Sequence, residues 1–452
     1  MDPRKFVIMG AGEVGRFLAR GLSSEGHAVT VVDHDHHKQA AIEDQLDVGF
    51  VLGSGSHVPT LEAAGVANCD LFIAASSSDD ANLAASLLAK TVGAPRTVVR
   101  VKTFADVTQF GRTYERAFRA DLLLSTQLLT TTRILNHVLG YNTLEIEYLA
   151  GGALQVRRTA IEAGSALERA PLSETRLPPG CLVLAFVSDG SVVVPTGRDR
   201  ANIGDDALVI GTPEAIGEFE RSVSQHSERR NLVAIAGGGS TAEAVIEHLD
   251  GQVGRIKVIE RERQRAEQLA ARFPRIDVLH ADATDAAILA SEGLGKAEAF
   301  IALTGNDETN LMACLLAQEL GVEHLTALVQ KSETSTLWKK VAVVDVVSPR
   351  AIAAERIQIY IENGYEPHIV SFENGAAKFV HKEVFAQSPA AGARLDSLET
   401  PRGIIVAAIL RDGKAIIPTG RDELHPGDAV ILFVRENELA MAQLLFPGPE
   451  AE

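Results

Sequence analysis

Cysteine is scarce in this sequence. There are three in 452 residues, Cys69, Cys181 and Cys314, and they lie far apart. An odd number at such spacing builds neither a disulfide framework nor a zinc site, which points to a reducing, cytosolic compartment. Each is expected to be a small buried hydrophobe. Long apolar runs are missing too: nowhere do ~18 apolar residues follow one another, so no segment is expected to span a membrane. The N-terminal run Phe6–Met9 passes straight into a glycine turn, with none of the layout of a signal peptide. Basic residues are outnumbered: Lys plus Arg is 43 against 60 Asp plus Glu, a formal net charge of -17. That balance argues against broad nucleic-acid binding and against docking on an anionic bilayer. No nucleophile-with-base pattern, paired carboxylates or metal-ligand spacing stands out, so no catalytic residue and no metal is assigned. What is plentiful is ordinary globular material, 46% hydrophobic and 23% charged. The length suggests about three domains.

The sequence repeats itself. VIMGAGEVG, Val7 to Gly15, is echoed by VAIAGGGSTA, Val233 to Ala242. SSSDDAN, Ser76 to Asn82, is echoed by TGNDETN, Thr304 to Asn310. VVVPTGRDRANIGDDALVI, Val192 to Ile210, is echoed by AIIPTGRDELHPGDAVILF, Ala415 to Phe433. Three echoes in one order make a tandem duplication, each copy holding two modules. The joint is placed in the polar stretch Ser222 to Arg230. The first module of each copy alternates apolar strands with helical stretches, which predicts βαβ units and a parallel sheet buried on both faces. Strands are predicted at Lys5–Met9, Ala28–Val32, Val48–Leu52, Leu71–Ala75 and Thr97–Val101, and again from Asn231 to Val329. The second module reads as small α+β, with a hairpin at Cys181 to Pro195 and another at Gly403 to Pro418. Amphipathic connecting helices, Gln127–Leu139 and Ala351–Ile361, precede Gly140-Tyr141 and Gly364-Tyr365, which read as C-caps.

Two glycine motifs carry the chemistry. Gly10-Ala11-Gly12-Glu13-Val14-Gly15 follows a strand and opens a helix. The first glycine makes the turn, the second admits a pyrophosphate to the backbone, and the third lets helix and strand pack closely. Asp33 ends the predicted second strand, where an acid hydrogen-bonds a ribose hydroxyl. It favours NAD or an adenosine nucleotide over NADP, whose 2′-phosphate it would repel. Gly237-Gly238-Gly239-Ser240-Thr241-Ala242 with Glu260 repeats the arrangement, alanine taking the third place. Ser76, Ser77, Thr304 and Gly305 fall at the C-terminal sheet edge, where ligands bind in open α/β folds. Asp79 and Asp307 are read as helix caps. Arg100 in the apolar run VVRV needs an anionic partner, a phosphate or a facing carboxylate; Gln330 is taken as its counterpart. Asp33-His34-Asp35-His36-His37 reads as a solvated turn rather than a metal site.

Taken together, the tandem glycine fingerprints resemble the TrkA family, cytosolic regulatory subunits of Trk potassium-uptake systems built from tandem RCK (KTN) units. The supporting signs are the acid after strand two, the turns Gly53 to His57 and Ala281 to Ala283 after strand three, the S/T-x-x-D-x-x-N segments and the hairpin-rich small modules. The resemblance implies an α/β fold: two Rossmann-like parallel-sheet domains, each followed by a small α+β RCK-C domain. The divisions are 1–125, a connecting helix over 126–142, 143–226, then 229–346, a connecting helix over 347–365, and 366–449. It implies nucleotide contacts from Gly10, Ala11, Gly12, Glu13, Val14, Asp33, Gly53, Ser54, Ser76, Ser77 and Arg100. In the second copy it implies Gly237, Gly238, Gly239, Ser240, Thr241, Glu260, Ala281, Asp282, Thr304 and Gly305. NAD(H) is the first choice of cofactor, with ATP or ADP as alternatives at one or both sites. A TrkH-like membrane potassium-translocating subunit is the implied partner, gated by a homo-oligomer, a tetramer or else a dimer. The implied place is the cytoplasm, on the inner face of the membrane when complexed. The rival readings are a dinucleotide-dependent oxidoreductase and an RCK-type sensor for another membrane transporter.

Overall fold

The computed structural model describes residues 3–102, 111, 113–139, 154–188, 191–223, 232–250, 253–330, 338, 344–362, 369–372, 375–412 and 414–447. The chain forms two compact units, residues 1–140 with 229–367 and residues 141–228 with 368–452.

The first unit holds both glycine motifs. In chain order its first half runs β1 (Lys5–Met9), α1 (Glu13–Ser24), β2 (Ala28–Asp33), α2 (His37–Glu43), β3 (Gly49–Leu52), α3 (Val58–Ala63), β4 (Leu71–Ala74), α4 (Asp79–Val92), β5 (Thr97–Val101), β6 (Leu122–Ser125) and α5 (Thr126–Leu139). The strands pair in parallel in the order β3-β2-β1-β4-β5-β6. The order reverses between β1 and β4, and that switch point opens a crevice at the strands' C-terminal ends. Phe72 and Ile73 on β4 and Val7 and Ile8 on β1 are all buried, as a sheet covered on both faces requires.

The small module that follows contributes β7 (Gln155–Ala160), α6 (Ala166–Arg169), β8 (Cys181–Ser188), β9 (Ser191–Val193), β10 (Asp206–Gly211) and α7 (Pro213–Val223). The second half then repeats the pattern: β11 (Leu232–Ala236), α8 (Ser240–Leu249), β12 (Arg255–Glu260), α9 (Arg263–Arg272), β13 (Asp277–His280), α10 (Ala286–Ser291), β14 (Ala299–Ala302), α11 (Asp307–Glu319), β15 (His324–Leu328), β16 (Asp345–Val347) and α12 (Pro349–Glu362). Its order is β13-β12-β11-β14-β15-β16. The sixth strand of each sheet is absent from the sequence reading. Leu122–Ser125 runs into α5 with no turn residue between them, so its apolar run merges with the helix pattern.

The connecting helices are exchanged. α5 packs on the second sheet: Leu129, Ile134, Leu135 and Val138 share a core with Val233, Ile235 and Val245. α12 packs on the first: Ala353, Ile357, Tyr360 and Ile361 share a core with Phe6, Ile8 and Leu18. Burying one large apolar side chain is worth about 1.5–3 kcal/mol, so each exchanged face is a substantial bond between the halves. Arg133–Glu355 (3.0 Å) and Gln358–Glu25 (3.0 Å) add polar ties.

The second unit is antiparallel. Its first sheet has the order β7-β10-β8-β9. Its second contains β17 (Ile369–Phe372), β18 (Ala377–Glu383), β19 (Ile404–Arg411), β20 (Lys414–Ile416) and β21 (Ala429–Arg435), ordered β17-β18-β21-β19-β20, and α13 (Leu439–Leu445) follows. Leu184, Leu208 and Ile210 of one sheet share a core with Phe372, Phe379 and Phe433 of the other. The apolar runs that need covering thus cover each other within one chain. Both predicted hairpins are present, as β8–β9 and β19–β20; their turn residues Asp189, Gly190 and Gly413 lie outside the described residues, as do the C-cap pairs 140–141 and 364–365. Of the expected joint, Ser222 and Val223 end α7, and 224–230 lie outside the described residues. Among the described residues no helix is long and apolar enough to cross a membrane.

All three cysteines are buried and free. Burial raises the Cys69 thiol to about 11 and those of Cys181 and Cys314 to about 12. At pH 8 almost no thiolate is present to attack a reagent. The native protein is therefore expected to give no rapid reaction with an aromatic disulfide at pH 8, and the denatured protein to release three equivalents. A thiol that reacts within seconds in native buffer would contradict this burial.

Candidate functional site

The two glycine motifs occupy the switch points of the two parallel sheets, and the same hydrogen bonds frame both. Gly10 N donates to Val32 O at 2.8 Å, and Gly237 N to Ile259 O at 2.8 Å. Gly53 N donates to Asp33 O at 2.9 Å, and Ala281 N to Glu260 O at 3.0 Å. These bonds bring the glycine turn, the strand-two acid and the turn after strand three to one edge. The first glycine of each motif has positive φ, +106° at Gly10 and +95° at Gly237. A side chain at Gly10 would stand 2.8 Å from the Ser76 backbone, and one at Gly237 would stand 2.9 Å from Thr304 N. So the loop after strand four is the floor on which each turn rests.

Each strand-two acid grips its own glycine loop. Asp33 Oδ2 accepts from Ala11 N at 2.6 Å and from Lys38 Nζ at 3.0 Å, while Oδ1 accepts from Asp35 N at 2.9 Å. Burial pushes this carboxyl up, but the Asp35 and Ala11 N–H groups and Lys38 outweigh it and hold it below the usual value. Glu260 does the same work, Oε2 accepting from Gly238 N at 2.6 Å and Oε1 from Glu262 N at 2.7 Å. A carboxyl group in this place beside the loop is suited to ribose hydroxyls.

Asn82 and Asn310 were given no role in the sequence reading, yet they fix the loop after strand four. Asn310 Oδ1 accepts from Thr304 N (2.9 Å) and Thr304 Oγ1 (2.6 Å). Its Nδ2 donates to Thr304 O (3.1 Å) and Leu328 O (2.9 Å). Asn82 makes the matching four bonds with Ser76 and Arg100 O. The signal was present: the asparagine recurs in both copies at the same place in the S/T-x-x-D-x-x-N segment.

Two readings need correction. The N-caps of α4 and α11 are Ser78, accepting from Ala81 N, and Asn306, accepting from Thr309 N. Asp79 and Asp307 stand one residue inside and bond instead to the ends of strand five, at Lys102 N (2.9 Å) and Gln330 N (2.8 Å). Those same bonds make Gln330 the counterpart of Lys102. Sheet register pairs Phe72 with Thr97 and Phe300 with Leu325, so Leu328 stands where Arg100 does. Arg100 Nη1 donates to Ser76 O at 3.0 Å, and its Nε is buried with no partner. Burial lowers its pKa, with Asp79 partly opposing. Arg100 thus has a carboxylate nearby and a carbonyl in contact, and it keeps one donor unspent.

In the second half Gly237, Gly238, Gly239, Glu260, Ala281, Asp282, Thr304 and Gly305 line one cleft of about 520 Å³. That is a nucleotide-scale volume for a ligand pocket. Ile259, Arg261, Glu262, Arg265 and Asn306 line it as well. Asp282 is held below the usual carboxylate value by the Thr284 hydroxyl and N–H. Ser240 and Thr241 are not in the lining; they form the first turn of α8, whose N–H groups have no partner within the helix. In the first half Ala11 and Val14 bury their side chains in the core, so only their backbone is offered to a ligand. Glu13, Ser54 and Ser77 are exposed, and Gly53 and Ser76 are half-buried. Asp35, His36 and His37 bring one ligand atom each within 4.8 Å of one another, but on an open turn where Asp35 already accepts from His37 N at 3.0 Å.

With the geometry in hand, the chain can be set beside known proteins. The TrkA-N domain matches residues 6–117 and 233–349, and the TrkA-C domain matches residues 383–446. The Trk system potassium uptake protein TrkA homolog 2 of Methanosarcina mazei is 27% identical over 451 residues, covering 98% of this chain and 100% of its own. The Trk system potassium uptake protein TrkA of Haemophilus influenzae is 27% identical over 448 residues, covering 96% of each chain. Among solved structures, the GsuK channel bound to NAD covers 98% of this chain and 79% of its own, at 21% identity and a TM-score of 0.56. The GsuK RCK domain covers 98% and 95%, at 20% identity and a TM-score of 0.56. These two likenesses show a shared tandem RCK fold.

Proposed function

We propose, since this chain belongs to the TrkA family, that it is a regulatory, non-catalytic subunit of a potassium-uptake system and reads nucleotides through its two switch-point clefts. One observation carries this reading: both glycine loops are built alike, each with its strand-two acid bonded to a loop N–H. The curated relatives are named as Trk potassium uptake proteins, and one structural neighbour is described as bound to NAD. On this reading the ligand is NAD(H), or ATP or ADP at one or both clefts. The partner is a TrkH-like membrane subunit, met at the cytoplasmic face by a homo-oligomer of this chain. Gating then follows from differential binding: a nucleotide shifts the transporter only as far as it favours one conformation of the assembly over another.

Calorimetric titration with NADH, NAD, ATP and ADP tests the first step. Saturable binding is expected, weakened at least about tenfold at the affected cleft by Asp33→Ala or Glu260→Ala, which remove a charged hydrogen-bond acceptor. Absence of binding below millimolar concentration for all four nucleotides would sink the proposal.

A further inference from the structure

Each connecting helix reaches the glycine loop of the other half, and the two do so with different chemistry. Arg350, near the start of α12, forms an ion pair with the Glu13 carboxylate in the first turn of α1. Its side chain is 12% exposed. Gln127 holds the matching place near the start of α5, where its Nε2 donates to Ser240 O at 2.8 Å in the first turn of α8. Glu13 and Ser240 are equivalent, each following the second glycine of its motif. The first site therefore has a charged pair where the second has an amide and a carbonyl.

The charge difference has a chemical meaning. A helix N-terminus beside a glycine loop suits phosphate. A carboxylate standing there, as Glu13 does, repels phosphate unless a cation answers it. Arg350 answers it and puts a guanidinium beside the loop. Beyond the Gly10 turn lies Arg100, with its unspent Nε, where the second copy has Leu328. Two arginines therefore flank the first loop at places that are neutral in the second. Of the second cleft's two arginines, Arg265 is engaged by Gly238 O (2.6 Å) and Glu243 (2.7 Å), and Arg261 lies near the Asp282 carboxylate, away from the place that Arg350 takes in the first half.

We propose that Arg350, supplied across the chain by the other half, is a binding residue of the first nucleotide site and selects there for nucleoside di- and triphosphates, whose free terminal phosphate lies beyond the first. NAD carries a diphosphate esterified at both ends; ADP and ATP carry more charge and an unesterified end, which a guanidinium fork grips better. This inference rests on the nucleotide reading of the cleft.

The test is calorimetry on the full chain carrying Glu260→Ala, with ATP, ADP, NAD and AMP as probes. With Arg350→Gln, affinity for ATP and ADP should fall about tenfold or more, and that for NAD and AMP less than about threefold. Glu13→Gln should act in the opposite direction, strengthening ATP binding several-fold by removing the repulsion and freeing Arg350. Moving the pair to the second cleft, with Gln127→Arg and Ser240→Glu in an Asp33→Ala chain, should raise ATP over NAD there. Equal losses for all four ligands in Arg350→Gln, or weaker ATP binding in Glu13→Gln, would overturn the assignment. If the parent chain binds none of the four, the nucleotide reading itself fails, a result distinct from either. Glu13 is half exposed and stays hydrated once its partner is gone, so no buried charge is stranded and Arg350→Gln should stay folded; Glu13→Gln tests the same claim from the opposite partner.

Discussion

Replacing Asn310 with alanine should cost about 3–5 kcal/mol of stability, far beyond an ordinary substitution. The side chain is fully buried and every hydrogen-bonding position on it is used. Alanine leaves the Leu328 carbonyl and the Thr304 N–H without partners, and each buried orphan costs about 1–3 kcal/mol. The void adds to this. Aspartate should be no better, since its second oxygen would face two carbonyls where an amide now donates. The chain provides its own reporter. The single tryptophan, Trp338, is buried in the second half's core, so its fluorescence in a denaturant titration follows this domain. Asn82→Ala should destabilise the first half through the same four bonds without shifting the Trp338 signal first. The loss should also reach the site, because Thr304 is the floor of the Gly237 turn, and nucleotide affinity should fall in the same half only. A loss under about 1 kcal/mol for Asn310→Ala would show that the loop stands without its brace.

Much of this brace was legible in the sequence, though not its wiring. The duplication places Asn82 and Asn310 alike, and a residue kept in both copies of an otherwise diverged loop is doing the same job twice. Which groups it bonds depends on strands that meet only in the fold. The glycine motifs and their acids were readable because they are local: strand, turn and helix follow one another in the chain. Arg100's counterpart was not. Counting along the sequence suggested Gln330, whereas sheet register selects Leu328. A slip of two residues keeps a side chain on the same face of a strand, so the apolar pattern gives no warning. The exchange of α5 and α12 was equally hidden. Periodicity shows that a helix has an apolar face, but not which of two similar sheets that face will cover. Arg350 entered the first site only through that exchange, and no motif search along the first half would find it.

The sharpest test of what the clefts are for lies in the second glycine of each motif. Gly12 and Gly239 have extended backbone, φ −74° with ψ −168° and φ −71° with ψ −178°, which any residue adopts. A methyl group at either would meet nothing within 4 Å. Neither conformation nor internal packing demands glycine there, in contrast to Gly10 and Gly237. Beyond the preference for glycine over alanine at an N-cap, the remaining physical reason is that something from outside must approach the backbone. Gly12→Ala and Gly239→Ala should therefore cost no more than about 1 kcal/mol of stability, the difference between alanine and glycine at an N-cap. Nucleotide affinity at the altered cleft should fall tenfold or more, because the methyl occupies the path of the pyrophosphate. Gly10→Ala should lose both, given a backbone clash at 2.8 Å and positive φ. Denaturant titration alongside calorimetry separates the two classes. If Gly239→Ala binds as the parent does, no ligand comes close to that loop. A Gly239→Ala chain that unfolds as readily as Gly10→Ala would instead show that the glycine serves the fold alone.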